Sequence, residues 1–186
     1  FSFIRCGNHK DRPSQADNLH LDIWVNGHNI LNDGGSYKYN ADEESLRYFF
    51  GTASHNTIML GDHDQMKKGG RFIWYYWTQS LNAGWIENED YYEFQGAIKA
   101  FQQVNANIVH SRTVKKYKAQ WKWEITDEVD TEIGNVLPTV ILRGIIARAT
   151  RAGAAQAISD TGHSAQNIAK IKEILAVDTV QTDKTA

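Results

Sequence analysis

The stretch Leu19-His20-Leu21-Asp22-Ile23-Trp24-Val25-Asn26-Gly27-His28-Asn29-Ile30 decides the fold prediction. Up to Val25, apolar residues alternate with polar or aromatic ones at period two, which predicts a strand with one buried face. Asn26-Gly27 follows at once, and this pair favours a two-residue hairpin turn because both turn positions need positive φ. We therefore predict an antiparallel hairpin with strands over Leu19–Val25 and His28–Asp33.

The register of this hairpin would make a histidine and an aspartate neighbours. A two-residue loop gives three opposite pairs: Val25 with His28, Ile23 with Ile30, and His20 with Asp33. Cross-strand partners have Cβ atoms roughly 5 Å apart, so the carboxylate could orient the imidazole or both could bind one metal ion. A plain hydrogen bond on a solvated sheet face is the commoner arrangement, and a longer loop would separate the pair. His55, before the next predicted strand, is the candidate third member.

Further candidate strands follow along the first two thirds of the chain. This part is rich in aromatic and β-branched residues, with Gly and Asn between the runs. Such spacing, with little helix between, is typical of a sandwich of two antiparallel sheets. We predict an all-β sandwich whose remaining strands cover Asn56–Leu60, Arg71–Thr78, Tyr91–Lys99, Asn107–Tyr117 and Gln120–Thr126.

The chain changes character after its last aromatic residue, Trp123. We divide it into a sandwich over 1–134 and a partly helical or poorly ordered tail over 135–186. Alanine and arginine favour helix weakly from Thr139 to Ile158, and Ser164 can cap a short amphipathic helix beyond. A poorly packed extension and a shifted reading frame in the gene are the alternatives, since the tail offers no aromatic anchor.

The totals exclude several classes of function. With 20 basic and 22 acidic residues among 186, the net charge of −2 gives no electrostatic footprint for nucleic acid or for a membrane surface. No apolar run reaches the roughly 20 residues that a membrane helix needs, and the single cysteine allows no internal disulfide. The chain opens without methionine, which we interpret as a domain boundary or a processed fragment of a larger protein.

Several spaced motifs resemble the C-terminal domain of heparinase II/III-like proteins. The resemblance covers about Arg5 to Asp127, does not extend into the tail, and depends on motifs that occur in the expected order. These motifs are Ala16–Gly27, Asn32–Tyr37, Arg47–Phe50, Ser54–Thr57, Asp64-Gln65 and Val109–Arg112.

The resemblance implies an antiparallel β-sandwich that binds acidic polysaccharide together with an N-terminal α/α toroid domain of the same parent protein. It implies β-elimination on a uronate-containing glycan such as a glycosaminoglycan, with a tyrosine and an asparagine or histidine from the toroid and a histidine from the sandwich. We therefore expect this module to be nearly inactive alone. Relatives of this kind are bacterial, and we expect a periplasmic or secreted location, with the cytoplasm left open.

The sequence also departs from the family pattern. Members with a metal site carry two histidines where this chain has Pro13 and Gln15, while Asp33 and His55 match the remaining metal-site positions. His20 could complete a set of two imidazoles and one carboxylate, which suits zinc or another divalent cation. The alternative is a metal-free polar cluster. An ordinary pKa near 6.5 would also make His20 a candidate catalytic base.

Four other residues in or beside the matched motifs are assigned to substrate binding: Gln15, Trp24, Tyr37 and Arg47. Lys67, Lys68 and Arg71 around Gly69-Gly70 could contact sulfate or carboxylate groups, although a solvated strand edge protected by lysines is the commoner explanation. Two rival functions stay open at this point. One is a carbohydrate-binding or structural sandwich without catalysis, and the other is a hydrolase with an unrecognised carboxylate pair.

Overall fold

The chain folds into antiparallel sheets, as shown by a computed structural model that describes residues 1–70 and 72–130 and the backbone of residues 140–149 and 155–158. The described part contains eleven strands and one α-helix. In chain order these are β1 (Ser2–Ile4), β2 (Leu21–Val25), β3 (His28–Leu31), α1 (Glu43–Phe50), β4 (Lys67–Lys68), β5 (Trp74–Tyr75), β6 (Gln79–Glu87), β7 (Tyr91–Lys99), β8 (Val109–Tyr117), β9 (Trp121–Asp130), β10 (Val140–Ala149) and β11 (Ala155–Ile158). The predicted all-β class is confirmed.

The strands form two main layers and one small ribbon. Strands β6 to β11 make a six-stranded meander in which every strand pairs with its neighbour in the chain. Strands β1, β2 and β3 make a three-stranded sheet, and β4 pairs with β5 separately. Consecutive antiparallel pairing needs only short turns, which matches the turn signals between the apolar runs.

The two main sheets share one hydrophobic core. Leu21, Ile23 and Val25 supply one buried face from β2, as the alternating pattern predicts. The six-stranded sheet supplies inward residues such as Ile98 and Trp123. Each fully buried side chain of this kind contributes about 1.5 to 3 kcal/mol, so the packed faces account for the pairing of the sheets.

A buried ion pair also crosses this core. Arg112 and Asp127 point inward from β8 and β9, with Arg112 Nε 2.6 Å from Asp127 Oδ1 and Nη2 2.8 Å from Oδ2. His110 Nε2 lies 2.7 Å from the same Oδ1. Burial alone would raise the pKa of Asp127, but the Arg112 charge and the hydrogen bonds from His110 and Arg112 lower it well below its usual range.

The predicted hairpin turn is confirmed, whereas its register is not. Asn26 and Gly27 both have positive φ, at 49° and 82°, and Val25 lies opposite His28. Ile23, however, lies opposite Leu31 and not Ile30, because a bulge shifts the pairing between Ile23 and Trp24. The counting that placed His20 directly opposite Asp33 is therefore wrong, and both residues lie outside the strands.

Other strand predictions have mixed outcomes. The prediction for Tyr91–Lys99 is confirmed, and the next two strands differ from the predictions only at their ends. Asn56–Leu60 is not a strand, and among the described residues of Arg71–Thr78 only the short β5 is extended into a strand. The nine-residue β6 was not predicted, because its alternation is interrupted by Asn82, Ala83 and Gly84.

Helix α1 was also not predicted from the sequence. Its N-cap, Asp42, accepts a hydrogen bond from the backbone N–H of Ser45 at 2.8 Å, and Glu43 and Glu44 occupy the first turn. This is a capping pattern that favours helix, and it was overlooked between glycine-rich segments. In the part of the chain that the structure describes, no helix has the length and apolar character needed to cross a bilayer.

The second part of the chain contributes strands to the sheet. β10 pairs with β9, and β11 pairs with β10. The weak helix prediction for Thr139 to Ile158 is therefore wrong over both strands, where branched residues such as Val140 and Ile141 favour extended backbone. The helix predicted after Ser164 lies outside the described residues, and the domain division at 134 stays a prediction.

Candidate functional site

The structure brings His20, Asp33 and His55 together. His20 Nε2 lies 3.5 Å from Asp33 Oδ2, and His55 Nδ1 lies 3.0 Å from Asp33 Oδ1. One possible ligand atom from each residue lies within 4.8 Å of the others. The two imidazole rings are nearly perpendicular, with centroids 5.7 Å apart. We call these three residues the histidine cluster.

Local turns position the cluster, rather than strand pairing. His20 follows Leu19, whose φ is +59°, and precedes β2, while its backbone N–H donates to Asp17 O at 3.1 Å. His55 follows a 3-10 turn, Thr52–Ser54, and its backbone N–H donates to Thr52 O. His20 and His55 therefore lie in irregular segments, whereas the predicted register had placed His20 on a strand that faces Asp33.

Glycines bring Asp33 close to His55. The backbone N–H of Gly34 donates to Ser54 O at 3.0 Å, and a Cβ at Gly34 would lie only 2.7 Å from that oxygen. Gly35 has φ +70°, and its N–H donates to Asp33 Oδ1 at 2.7 Å. The Asp-Gly-Gly sequence thus lets the loop after β3 pack against the His55 turn.

Asn56 ties the cluster together. Its backbone N–H donates to His20 Nδ1 at 2.9 Å. Its side-chain amide donates to Leu21 O and to Asn32 O, each at 3.0 Å. One residue therefore holds the start of β2, the end of β3 and the His20 ring in a fixed relation.

These hydrogen bonds define where the imidazole protons lie. Because His20 Nδ1 accepts from the Asn56 N–H, the proton of neutral His20 is on Nε2, the nitrogen that faces Asp33. An ionised carboxylate only accepts hydrogen bonds, so His55 Nδ1 donates to Asp33. Both imidazoles thus direct an N–H toward one carboxylate, although the His20 contact is long for a hydrogen bond.

The two imidazoles of the cluster are buried, whereas the carboxylate is partly exposed. The side chains of His20 and His55 are 3% and 0% exposed, whereas that of Asp33 is 37% exposed. Burial lowers the pKa of His20 to about 4. Burial would raise the pKa of Asp33, but hydrogen bonds from His55 and from the Gly35 N–H lower it to about 2. At neutral pH the cluster therefore combines an ionised Asp33 carboxylate with a neutral His20 imidazole.

This arrangement changes the expectations for His20. The ordinary pKa expected for its imidazole is wrong, since burial opposes protonation. A base at Nε2 needs a lone pair there, but the Asn56 contact places the proton on that atom. Nε2 is moreover buried and makes no hydrogen bond with the described residues. The geometry favours a fixed donor, and the catalytic role of His20 stays a prediction.

The donor set does not fit the metal ion that the family pattern implies. Metal ligation requires a lone pair on each imidazole nitrogen that faces the ion. His55 could supply a lone pair at Nδ1 by carrying its proton on Nε2. His20 could supply one at Nε2 only by carrying its proton on Nδ1, and that N–H would then point at the Asn56 backbone N–H. We therefore derive no chemistry through a metal ion at this cluster.

Two of the predicted substrate-binding residues have structural contacts. The Gln15 amide donates to Gly35 O at 2.9 Å and to Phe49 O at 3.2 Å, which joins the loop after β3 to helix α1. Trp24 stacks on Phe1 with ring centroids 5.7 Å apart. Neither residue lines a described cavity.

The other two predicted residues line adjoining cavities. Tyr37 lines a cavity of about 430 Å³, and Arg47 lines one of about 870 Å³; Phe50 and Lys68 border both. We call the smaller one the aromatic-basic cavity, because its lining includes Arg12, Lys38, Lys68, Tyr37, Tyr39 and Phe72. The larger one has mixed charge, with Glu43, Asp62 and Asp64 beside its cations. No cluster residue lines either cavity.

The sequence interpretation missed most of the aromatic-basic cavity. Arg12, Lys38 and Phe72 come from three separate segments, and none belongs to a periodic pattern. Lys68 was noted for its charge, and it does border this cavity, whereas Arg71 lies outside the described residues. Only the adjacency of Tyr37, Lys38 and Tyr39 gave a local signal of a mixed aromatic and basic surface.

Comparison with protein families extends the resemblance seen in the motifs. The model of the family described as Heparinase II/III-like, C-terminal matches residues 2–169. The match passes Asp127, so the expectation that the resemblance ends before the tail is wrong. No curated protein and no solved structure gave a significant match.

Proposed function

Because the chain belongs to the family of heparinase II/III-like C-terminal domains, we propose that it forms the β-sandwich wall of a polysaccharide lyase that acts on a uronate-containing glycan. The aromatic-basic cavity is the observation that carries this proposal. Its lining holds three cations and, among the described residues, no acidic side chain. Cations that donate to carboxylates and rings that pack on sugar faces are the groups an acidic sugar requires.

The cations of the aromatic-basic cavity are arranged for an anion. Arg12 lies 5.0 Å from the Phe72 ring centroid, and Lys38 lies 5.1 Å from that of Tyr37. A guanidinium over a ring still presents its N–H edge to a carboxylate. Burial, and then the neighbouring Arg12 charge, lowers the pKa of Lys68. A bound carboxylate would relieve this repulsion, which supports the cavity as an acidic-sugar site.

The mixed-charge cavity would extend the same surface. Arg47 borders it together with Lys67 and Lys68, and Phe50 borders both this cavity and the aromatic-basic cavity. Burial raises the pKa of Asp64, although the Thr52 N–H and the Arg47 charge counteract this effect. We propose that a neighbouring sugar unit lies here, with hydroxyl groups facing the acids and a carboxylate facing Arg47.

β-Elimination on a uronate makes three demands. The carboxylate must be neutralised so that negative charge can develop, the proton at C5 must be removed, and the oxygen leaving C4 must be protonated. Arg12, Lys38 and Lys68 meet the first demand. We assign the base and the acid to the toroid partner, since His20 is buried with its proton on Nε2. The isolated module is then nearly inactive.

A second candidate function is a carbohydrate-binding sandwich without catalysis. The observation that favours it is the replacement of two family histidines by Pro13 and Gln15, together with the structural use of the Gln15 amide. Both functions require the aromatic-basic cavity to bind sugar. They differ only in whether a partner domain completes the chemistry.

Binding by the chain itself is the first test. We expect calorimetry to detect binding of oligouronates but no binding of neutral oligosaccharides of equal length. The double variant Arg12→Ala, Lys38→Ala should weaken binding at least tenfold, since each charged contact contributes about 1 kcal/mol or more. Lys118→Ala is the matched control, because Lys118 pairs with Glu87 on another hairpin. Equal losses in the two variants, or no binding, would refute the proposed site.

Turnover by the full-length parent protein separates the two functions. Formation of an unsaturated product is followed by its ultraviolet absorbance during incubation with uronate polysaccharides. A signal that needs both toroid and sandwich, and that falls in the Arg12, Lys38 variant, supports the lyase. Binding without any product supports the non-catalytic module.

A further inference from the structure

A buried arginine in the core contacts the segment that carries His55 and Asn56. Arg112 Nη1 donates to Leu19 O and to Asn56 O, each at 2.6 Å. The remaining guanidinium edge is held by both oxygens of Asp127. Arg112 is 1% exposed, so these contacts are shielded from bulk solvent. The six-stranded sheet thereby fixes two carbonyl groups beside the histidine cluster.

The contact continues through Asn56 to His20. The Asn56 carbonyl accepts from Arg112 on one side of the residue, and also from the Leu21 N–H at 3.3 Å. On the other side, the Asn56 N–H donates to His20 Nδ1 at 2.9 Å. The N–H and the carbonyl of Asn56 belong to adjoining peptide groups that meet at its Cα, so the charge-assisted hydrogen bond to the carbonyl restricts the backbone from which the N–H donates.

Through the Leu19 carbonyl, Arg112 also holds the peptide group that leads into His20. Leu19 directly precedes His20 and has a left-handed backbone, which is costly for a branched residue. Its oxygen accepts from Arg112, and its N–H donates to Arg5 O at 2.7 Å. The Arg112 guanidinium thus restrains the backbone that carries the His20 ring. It also restrains Asn56, whose N–H donates to that ring.

We propose that Arg112 is a positioning residue that locks His20 with its proton on Nε2 and so keeps the histidine cluster a metal-free hydrogen-bonding site. Asp33 is then the cluster's outward group, a fixed carboxylate that accepts from His55 and Gly35. A histidine free to carry its proton on Nδ1 would instead offer a lone pair to a cation beside Asp33. This inference does not depend on the proposed lyase function.

Nitrogen NMR of selectively labelled histidine tests the proposal directly. In the wild-type chain, Nδ1 of His20 should show the shift of an acceptor nitrogen and a scalar coupling across the hydrogen bond from the Asn56 N–H. Addition of one equivalent of zinc should leave the His20 signals unchanged. A proton on Nδ1, or stoichiometric zinc binding that moves the His20 signals, would overturn the proposal.

Arg112→Lys tests the role of the guanidinium, because lysine keeps the charge but cannot hold both carbonyls and Asp127 in one plane. We expect the Asn56 coupling to weaken, the Nδ1–H form of His20 to become detectable, and zinc affinity to rise at least tenfold. His110→Asn is the matched control, since His110 contacts Asp127 but neither Asn56 nor His20 in any described hydrogen bond. It should leave the His20 proton on Nε2, and an equal change in both variants would contradict a specific role.

A measurement on the wild-type chain covers the case in which Arg112→Lys does not fold. The coupling from the Arg112 guanidinium nitrogen to the Asn56 carbonyl carbon reports the proposed contact itself. Its presence, together with a slowly exchanging Asn56 N–H, supports the positioning role. Its absence in a folded chain with the His20 proton on Nε2 would show that another group fixes the imidazole.

Discussion

The histidine cluster and the aromatic-basic cavity differ in what surrounds their charged groups. In the cluster, two buried imidazoles and the Gly35 N–H already surround the Asp33 carboxylate. In the cavity, Arg12 and Lys38 lie over aromatic rings, and no acid among the described residues lines the space. The comparison teaches that convergent titratable residues are not sufficient for a ligand site. A ligand site also needs charge that a bound ligand can balance.

The same contrast separates residues that act on stability from residues that act on binding. The cluster is tied to the core by Asn56 and Arg112, so changes there should first reduce the free energy of unfolding. The cavity is bordered by exposed side chains such as Tyr37, which is 61% exposed. Changes there should reduce affinity and leave the fold intact.

The largest expected effect is on stability, from Arg112→Met. The substitution leaves the buried Asp127 carboxylate without its counter-ion, which costs about 3 to 5 kcal/mol. Chemical denaturation measures this loss. Lys118→Met removes a surface ion pair with Glu87 and should cost less than about 1 kcal/mol. Similar losses in the two variants would mean that the core ion pair is not needed to hold the sheets together.

Lowering the pH should reduce the free energy of unfolding through the buried imidazole of His20. Burial lowers its folded pKa from 6.5 to about 4, so the unfolded chain takes up a proton first as the pH falls. The stabilisation is complete above pH 6.5 and is lost toward pH 4, by up to about 3 kcal/mol. His20→Asn removes the titration but keeps an oxygen near the Asn56 N–H. Subtracting its pH profile also removes the similar effect of His110, whose pKa burial lowers as well.

If the wild-type and His20→Asn profiles run parallel between pH 6.5 and 4, the imidazole is not held neutral in the folded state. Denaturation midpoints at several pH values are sufficient for this comparison. The outcome would also remove the reason to regard the cluster as closed to protons and cations.

The sandwich was predictable because its determinants are local. Strand β7 has a clear run of β-forming residues, and the Asn26-Gly27 turn has only one common solution. The bulge in β3 was not predictable, since it accompanies the burial of both Ile30 and Leu31 in the shared core, which depends on the facing sheet. A period-two count cannot include that choice.

The histidine cluster was predicted with the right members and the wrong geometry. The bulge removes the strand register that had suggested the pair. His20 and Asp33 instead come together through the turns at Leu19 and Gly34. The proton on His20 depends on Asn56, which lies far from it in the chain and carries no sequence signal for this role. The aromatic-basic cavity combines four separate segments, so a local pattern such as Tyr37-Lys38-Tyr39 could show only part of it.

Gly34→Ala should sharpen the comparison by separating the loop after β3 from the His55 turn. Its Cβ would lie 2.7 Å from Ser54 O, a contact that only movement of backbone can relieve. Overpacking of this kind typically costs about 1 to 3 kcal/mol, and the His55 to Asp33 hydrogen bond should lengthen. Thermal unfolding and the His55 NMR signals report the two effects.

Gly7→Ala is the matched control, because a Cβ there meets no atom within 4 Å and its φ is not positive. It should change the free energy of unfolding by less than about 0.5 kcal/mol. Equal stability of the two variants would mean that the loop after β3 is free to move away from Ser54.

The smallest expected effect is that of Tyr37→Ala, and it should appear mainly in binding. The ring stacks on Phe49 at 5.1 Å and supports Lys38, but most of its surface is exposed. Loss of one sugar-facing ring and of one cation–π contact should weaken oligouronate binding about three- to tenfold. The free energy of unfolding should fall by no more than about 1 kcal/mol, through loss of the Phe49 stacking. Tyr92→Ala, an exposed ring on β7, is the control, and equal affinity in the two variants would place the sugar elsewhere.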